Sequence, residues 1–206
     1  MRKPPAHAPK KRPRQERSRA TVDYILSAAA RILSQDGGSR LTTNRIARTA
    51  GVAVASLYQY FPNKEAIVQA LFERELSEEH AELTTRVEAL HDRPLRDVIR
   101  TGIESIIAVH ARTPKLVTSL LQSLPVLGSA EAHRRARQQV VDLVVEALRA
   151  RGGELRSRGN PEIKAFLVVH AVEDVIHDAA EERPGYLNDP AFAEELVALV
   201  ERFLLD

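Results

Sequence analysis

The side chains in this sequence able to do chemistry are histidines and carboxylates: it holds seven His, 28 Asp and Glu, and no Cys. Without thiols there is no disulfide, no thiol nucleophile and no cysteine-held zinc, so any metal would rest on His, Asp and Glu. The spacing that comes nearest to a metal site is His170, Asp174 and His177, which at i, i+4 and i+7 share one helical face, with Glu173 and His177 as a second i, i+4 pair. Interface hydrogen bonds, helix-face ion pairs and pocket polarity explain that spacing more simply, and no metal is assigned. Catalysis has no better candidate. No Ser, His and Asp grouping carries a nucleophile elbow, and no Gly-rich loop follows a strand. The reading is a chain with no catalytic residues and no cofactor.

Charge is more informative once it is divided along the chain. The 206 residues carry 30 Lys and Arg against 28 Asp and Glu, a net of +2, yet residues 1–64 hold 13 against 3 and the remainder 17 against 25. A basic module suited to a polyanion is therefore joined to an acidic one suited to something else. No apolar run approaches the roughly 20 residues of a membrane span. The basic N-terminus also lacks the apolar stretch of a secretory signal, which predicts a cytoplasmic protein with no membrane partner.

The elements that must position these groups are helical throughout. Residues 1–17 mix four prolines with Lys10, Lys11, Arg12, Arg14 and Arg17, and read as a disordered basic arm. From Val22 the apolar positions Ile25, Leu26, Ala29, Ile32 and Leu33 recur at helical spacing until Gly37-Gly38. A second helix starts at Thr42 or Thr43, either of which can cap it, and ends at Gly51; a third covers about 54–60. Pro62-Asn63 opens a long fourth helix from Lys64 to about residue 90. Further helices are predicted near 95–112, 115–123, 129–151, 161–182 and 189–204, punctuated by Pro and Gly. No segment alternates like a strand, so the fold class is all-α.

Within this pattern Leu41 to Ile67 has the requirements of a helix-turn-helix. Ala47 is small enough for a helix crossing, Gly51 tolerates positive φ in the turn, and Ile46, Val52 and Leu57 back the two helices. That leaves Val54, Ala55, Ser56, Tyr58 and Gln59 on the open side of the second helix of the motif, small or hydroxyl-bearing residues that can approach base edges in a major groove.

The run AGVAVASLYQYFPNKEAI resembles the signature of TetR-type regulators, with Ala50-Gly51-Val52, Leu57-Tyr58, Tyr60-Phe61 and Lys64-Glu65 in register. Ala53 stands where the family usually has a capping Ser or Thr, and Ala55 where Gly is common. The resemblance implies backbone-phosphate contacts from Thr43, Tyr60 and Lys64, a phosphate or thymine-methyl contact from Tyr58, and base approach by Asn44, Arg45, Val54, Ala55 and Ser56. Thr42 and Gln59 complete the expected DNA surface, with Arg14 and Arg17 of the arm following phosphates or entering the minor groove.

The same resemblance implies a domain order: arm 1–17, DNA-binding domain 18–78 with its motif at about 42–61, and a helical ligand-sensing and dimerisation domain over 79–206. Apolar stripes on the last two helices, including Phe166, Val169, Ile176, Phe192, Leu199 and Phe203, are expected to form a homodimer interface. Ile103, Ile107, His110, Leu120, Leu121 and Leu124 are expected to line a pocket for a small apolar or amphipathic effector. His110 reads more readily as a satisfied core or surface histidine than as a ligand contact. The implied activity is that of a repressor released from a pseudo-palindromic double-stranded DNA operator by its effector. A sequence-tolerant DNA-coating protein of the same fold, or a metal-binding or enzymatic C-terminal module, are the alternatives.

Overall fold

The structure, a computed structural model, describes residues 12–112, 115–116, 118–120, 122, 130–157 and 159–205. They form two compact units, Met1–Leu71 and Phe72–Asp206.

In the N-terminal unit, α1 (Arg12–Asp36) buries Ile25, Leu26, Ala28, Ala29, Ile32 and Leu33 along one stripe. It stops at Gly37, whose φ of 76° is open to glycine, and whose N–H donates back to the Leu33 carbonyl at 3.1 Å. A short 3-10 turn, Gly38–Arg40, leads through buried Leu41 to α2 (Thr43–Ala50). Then follow α3 (Val54–Tyr60) and α4 (Lys64–Glu88), the latter opened by Asn63 Oδ1 accepting from the Ala66 N–H at 2.8 Å. Ile46, Ala47, Leu57, Phe61, Ile67 and Val68 close this small core. Residues 12–17, expected in a disordered arm, are helical instead. Pro13 lies in the first turn, where its missing N–H breaks no intrahelical bond, so the Pro-rich composition does not stop the helix there. Residues 1–11 lie outside the described residues, as do the side chains of Arg14 and Arg17.

The C-terminal unit takes in the rest of α4, then α5 (Leu95–Arg112), α6 (Ala130–Ala150), α7 (Pro161–Glu182) and α8 (Pro190–Leu204). No strand occurs among the described residues. Local chemistry sets the ends: Asn160 Oδ1 accepts from the N–H groups of Glu162 and Ile163, Asp189 Oδ1 from that of Ala191, and a proline follows each cap. The turn between α4 and α5 is tied from a distance. Arg151 donates to the carbonyls of Leu90, His91 and Arg93, and Glu154 Oε2 accepts from the Leu95 N–H at 2.8 Å. The core between α5, α6, α7 and α8 is aliphatic, with Ile103, Val145, Leu148, Val169, Ile176 and Val197 among its buried members. The C-terminal unit begins at Phe72, which is buried there with its ring 6.1 Å from that of His133. No helix among the described residues is long and apolar enough to cross a membrane.

Candidate functional site

The helix-turn-helix is assembled by backbone chemistry that leaves one face open. Thr42 is the N-cap of α2, its hydroxyl oxygen accepting from the Arg45 N–H at 3.2 Å, and this settles which of the two threonines caps. Gly51 ends α2 with φ 70°, and the Val52 N–H reaches the Ala47 carbonyl at 3.0 Å, so the chain turns within three residues. Ala53 caps α3 with no side-chain hydrogen bond. Val54, Ala55, Gln59 and Tyr60 are exposed, Tyr58 is 51% exposed, and Ser56 is half-buried. Leu57 and Phe61 hold the opposite side of α3 in the core.

Two contacts organise the polar residues around this face. The Thr43 and Tyr58 hydroxyls lie 3.2 Å apart, which joins the first turn of α2 to α3. Arg45 is ion-paired with Asp36 at 2.5 Å, so its guanidinium is held at the end of α1. Thr42, Asn44 and Lys64 are exposed. Lys64 is the first residue of α4, where free N–H groups and the positive end of the helix dipole favour an anion.

The C-terminal unit contains two adjoining cavities. One, of about 80 Å³, is lined by aliphatic side chains including Ile99, Ile103, Val144 and Val172. The other, about 40 Å³, has ionisable side chains in its lining, Glu79, His80, His110, His133, Arg137 and His177, among apolar ones, and is termed the polar cavity. Leu83, Ile106, Val140 and Glu173 border both. The His177 ring centroid is 4.9 Å from that of His110 and 6.0 Å from that of His133. Burial lowers the pKa of all three imidazoles, that of His177 to about 3, with the neighbouring imidazoles adding to the effect on His177. Burial likewise raises the Glu79 carboxyl to about 7, helped by Glu173, Glu82 and Glu75. Among the described residues no group of His, Asp and Glu is arranged to hold a metal ion, and His170 stacks on Phe166 with ring centroids 4.0 Å apart.

The family of bacterial regulatory proteins described as the tetR family matches residues 25–71, and a tetracyclin repressor-like C-terminal domain matches residues 94–204. This chain belongs to the TetR family. A nucleoid occlusion factor, SlmA of Vibrio campbellii, is 33% identical over 149 residues, covering 71% of this chain and 72% of that protein. Two solved TetR-type folds superpose on it. One is NalD, the secondary repressor of the MexAB-OprM multidrug efflux pump in Pseudomonas aeruginosa, with TM-score 0.67, 24% identity, and coverage of 92% and 98% of the two chains. The other is the fatty acid degradation regulator FadR of Bacillus halodurans, with TM-score 0.68, 18% identity, and coverage of 87% and 94%. As a TetR-family member the chain is a DNA-binding regulator with an N-terminal helix-turn-helix and a helical C-terminal domain.

Against this family frame the sequence-derived sites separate. The residues expected to meet DNA, from Thr42 to Lys64, lie on the helix-turn-helix and the start of α4, and Asp36 ties Arg45, a partner the motif did not reveal. The expected effector pocket does not assemble as one site. Ile103 lines the aliphatic cavity, His110 the polar one, and Leu120 a recess with Glu75 and Glu79, while Ile107 is buried and borders none of them. Leu121 and Leu124 lie outside the described residues.

The expected interface needs correction on two positions. Val169 and Ile176 are 4% and 0% exposed, on the side of α7 that packs into the protomer's own core. Phe192 is half-buried against that core. Phe166, Leu199 and Phe203 are instead 52%, 56% and 46% exposed, and Ile163, Leu167 and Val175 join Phe166 on the outer face of α7. Both faces of α7 are apolar, so periodicity alone does not say which one turns outward. Glu79, His133 and His177 were missed as a group, because only the packing of three helices brings them together.

Proposed function

We propose that the chain is a homodimeric, sequence-specific repressor that leaves a pseudo-palindromic operator when a small apolar or amphipathic ligand enters its C-terminal unit. The observation that carries this reading is α3 itself: a capped, glycine-turned motif presents Val54, Ala55, Tyr58 and Gln59 outward, while Leu57 and Phe61 fix the opposite side. Small residues near the α3 N-terminus let the helix seat deeply in a major groove, and the hydroxyls of Thr43, Tyr58 and Tyr60 with Lys64 are suited to flanking phosphates. The exposed apolar faces of α7 and α8 supply the twofold contact that a palindromic site requires. Release follows from linkage, since a ligand favouring the protein state with the weaker DNA fit must lower operator affinity by the same factor. The chain has no catalytic role in this reading and acts in the cytoplasm.

A second reading, favoured by the relatives named nucleoid occlusion factors, is a sequence-tolerant DNA-coating protein of the same fold. Footprinting on host promoter fragments at physiological salt tests the two. Bounded, twofold-related protection beside a few genes supports the repressor. Unbounded protection, or sites scattered without relation to promoters, supports the coating protein.

A further inference from the structure

Glu79, half-buried in the C-terminal unit, has no ion-pair partner among the described residues. Around it Glu82 pairs with Arg86 and Arg112, Glu75 and Glu78 with Arg74, and Glu173 with Arg137 at 2.7 Å. Arg137 is further committed to Asp174, and Arg112 reaches both Glu82 oxygens. No hydrogen bond or ion pair is made to Glu79 among the described residues. Its position is equally particular. It borders the polar cavity on one side and, on the other, a recess of about 120 Å³ whose acidic rim includes Glu75, Glu78 and Glu82.

The other polar atoms of the cavity fit the same kind of guest. His110, 2% exposed, directs Nδ1 to the Ile106 carbonyl at 2.9 Å. With that N–H donated to a carbonyl, Nε2 is the acceptor of the neutral ring. His133 Nδ1 is buried with no partner. The cavity therefore offers an unpaired carboxylate and an imidazole lone pair, has no free guanidinium, and shares Leu83 and Ile106 with the lining of the aliphatic chamber beside it. At about 40 Å³ it has room for two or three water-sized groups, enough for a primary ammonium head.

We propose that these two cavities form one amphipathic site for a protonated primary alkylamine, the ammonium held by Glu79 and His110 and the alkyl chain by the aliphatic chamber. This rests on the effector reading above and narrows it to a cationic amphiphile. Partial burial of an unpaired carboxylate has a cost, and a cation that meets it there recovers that cost where an anion or an alcohol does not.

The test is calorimetry of the full chain with three probes of equal length, n-octylammonium, octan-1-ol and octanoate, in parallel with operator release. The amine should bind at least tenfold more tightly than either competitor, and Glu79→Gln should remove that preference while keeping a cooperative melt. Because Glu79 titrates near 7 when the site is empty, amine binding at pH 7 should also expel part of a proton, seen as a dependence of the measured heat on buffer ionisation enthalpy. Equal affinity for the three probes, no binding of any of them, or an unchanged preference in Glu79→Gln overturns the site. Should Glu79→Gln fail to fold, the unmodified protein decides: equal affinity for amine and alcohol overturns the site. Amine binding that leaves the operator complex intact keeps the site and removes the effector reading, whereas release by alcohol and amine alike with equal affinities keeps that reading and removes the site.

Discussion

Apart from the arm, every residue assigned to DNA lies in one stretch, 42–64, whereas the C-terminal polar cavity draws Glu79, His110, His133 and His177 from four different helices. The first surface is exposed and hydroxyl-rich, held in shape by backbone turns and caps. The second is buried and ionisable, and its electrostatics come from desolvation. A surface of the first kind meets a ligand whose charge is fixed and abundant. One of the second kind meets a guest that must offset the cost of a buried group, which makes it selective for chemistry rather than for charge alone.

The difference should appear first in salt. Raising salt from about 50 to about 200 mM should weaken operator binding by about three orders of magnitude, provided six or more phosphates are neutralised across the dimer. Octylammonium binding to the enclosed site should change far less over that range. Equal salt slopes for the two ligands would break the comparison. Next in size is the dimer. The double variant Phe166→Glu, Phe203→Glu should sediment as a monomer and lose about a hundredfold in operator affinity, since two linked recognition helices become one. A dimer that persists places the interface elsewhere.

A third prediction separates the units by pH. His177, lowered to about 3 in the fold, contributes stability that is present above the unfolded value of 6.5 and is lost as pH falls from there toward 3. His110 and His133, also lowered, act in the same direction. Glu79, raised to about 7, acts oppositely: its burial is tolerated below 4.5 and penalised as pH rises through 7. Glu173, also raised, follows Glu79, while Arg137, Arg112, Asp174, Glu75 and Glu82 supply the surrounding fixed field. Glu79→Gln should therefore raise the melting temperature at pH 8 and leave it unchanged at pH 4, and His177→Leu should raise it progressively more as pH falls from 6.5 toward 3. Melting curves of these variants that shift equally at every pH would assign the effect to packing. The smallest expected changes are in the N-terminal unit. Thr42→Ala should cost about 1 kcal/mol by removing the α2 cap, and Ala53→Ser should recover a similar amount by adding one to α3, both read by chemical denaturation.

How far the sequence could be read follows the same division. The bounds of α3 and α5 were legible because Gly51, Pro62, Pro94 and the helical apolar spacing between them are local signals. The N-terminal limit of α1 was not, since a Lys, Arg and Pro-rich composition looks the same in a solvated arm and in an exposed first turn. The helix-turn-helix was legible as a contiguous motif, but Arg45 was read without Asp36, nine residues upstream at the end of another helix. On α7, Phe166 and Val169 carry the same hydrophobic signal, yet Phe166 is exposed and Val169 buried. Glu79 had no local signature at all, being one of many glutamates on α4 until packing paired its neighbours and left it alone.

The hydroxyl pair of Thr43 and Tyr58 has a further consequence. Two hydroxyls share one hydrogen bond, and either oxygen can be the donor. Whichever way the bond runs, one O–H remains free, on Thr43 in one polarity and on Tyr58 in the other. A phosphate approaching this corner therefore finds a donor at either of two positions without breaking any existing bond. The contact adapts by moving a proton's orientation and leaves the backbone where it is, so modest variation in groove width between half-sites is absorbed by hydroxyl rotation. Tyr58→Phe would remove this choice and leave Thr43 a single polarity.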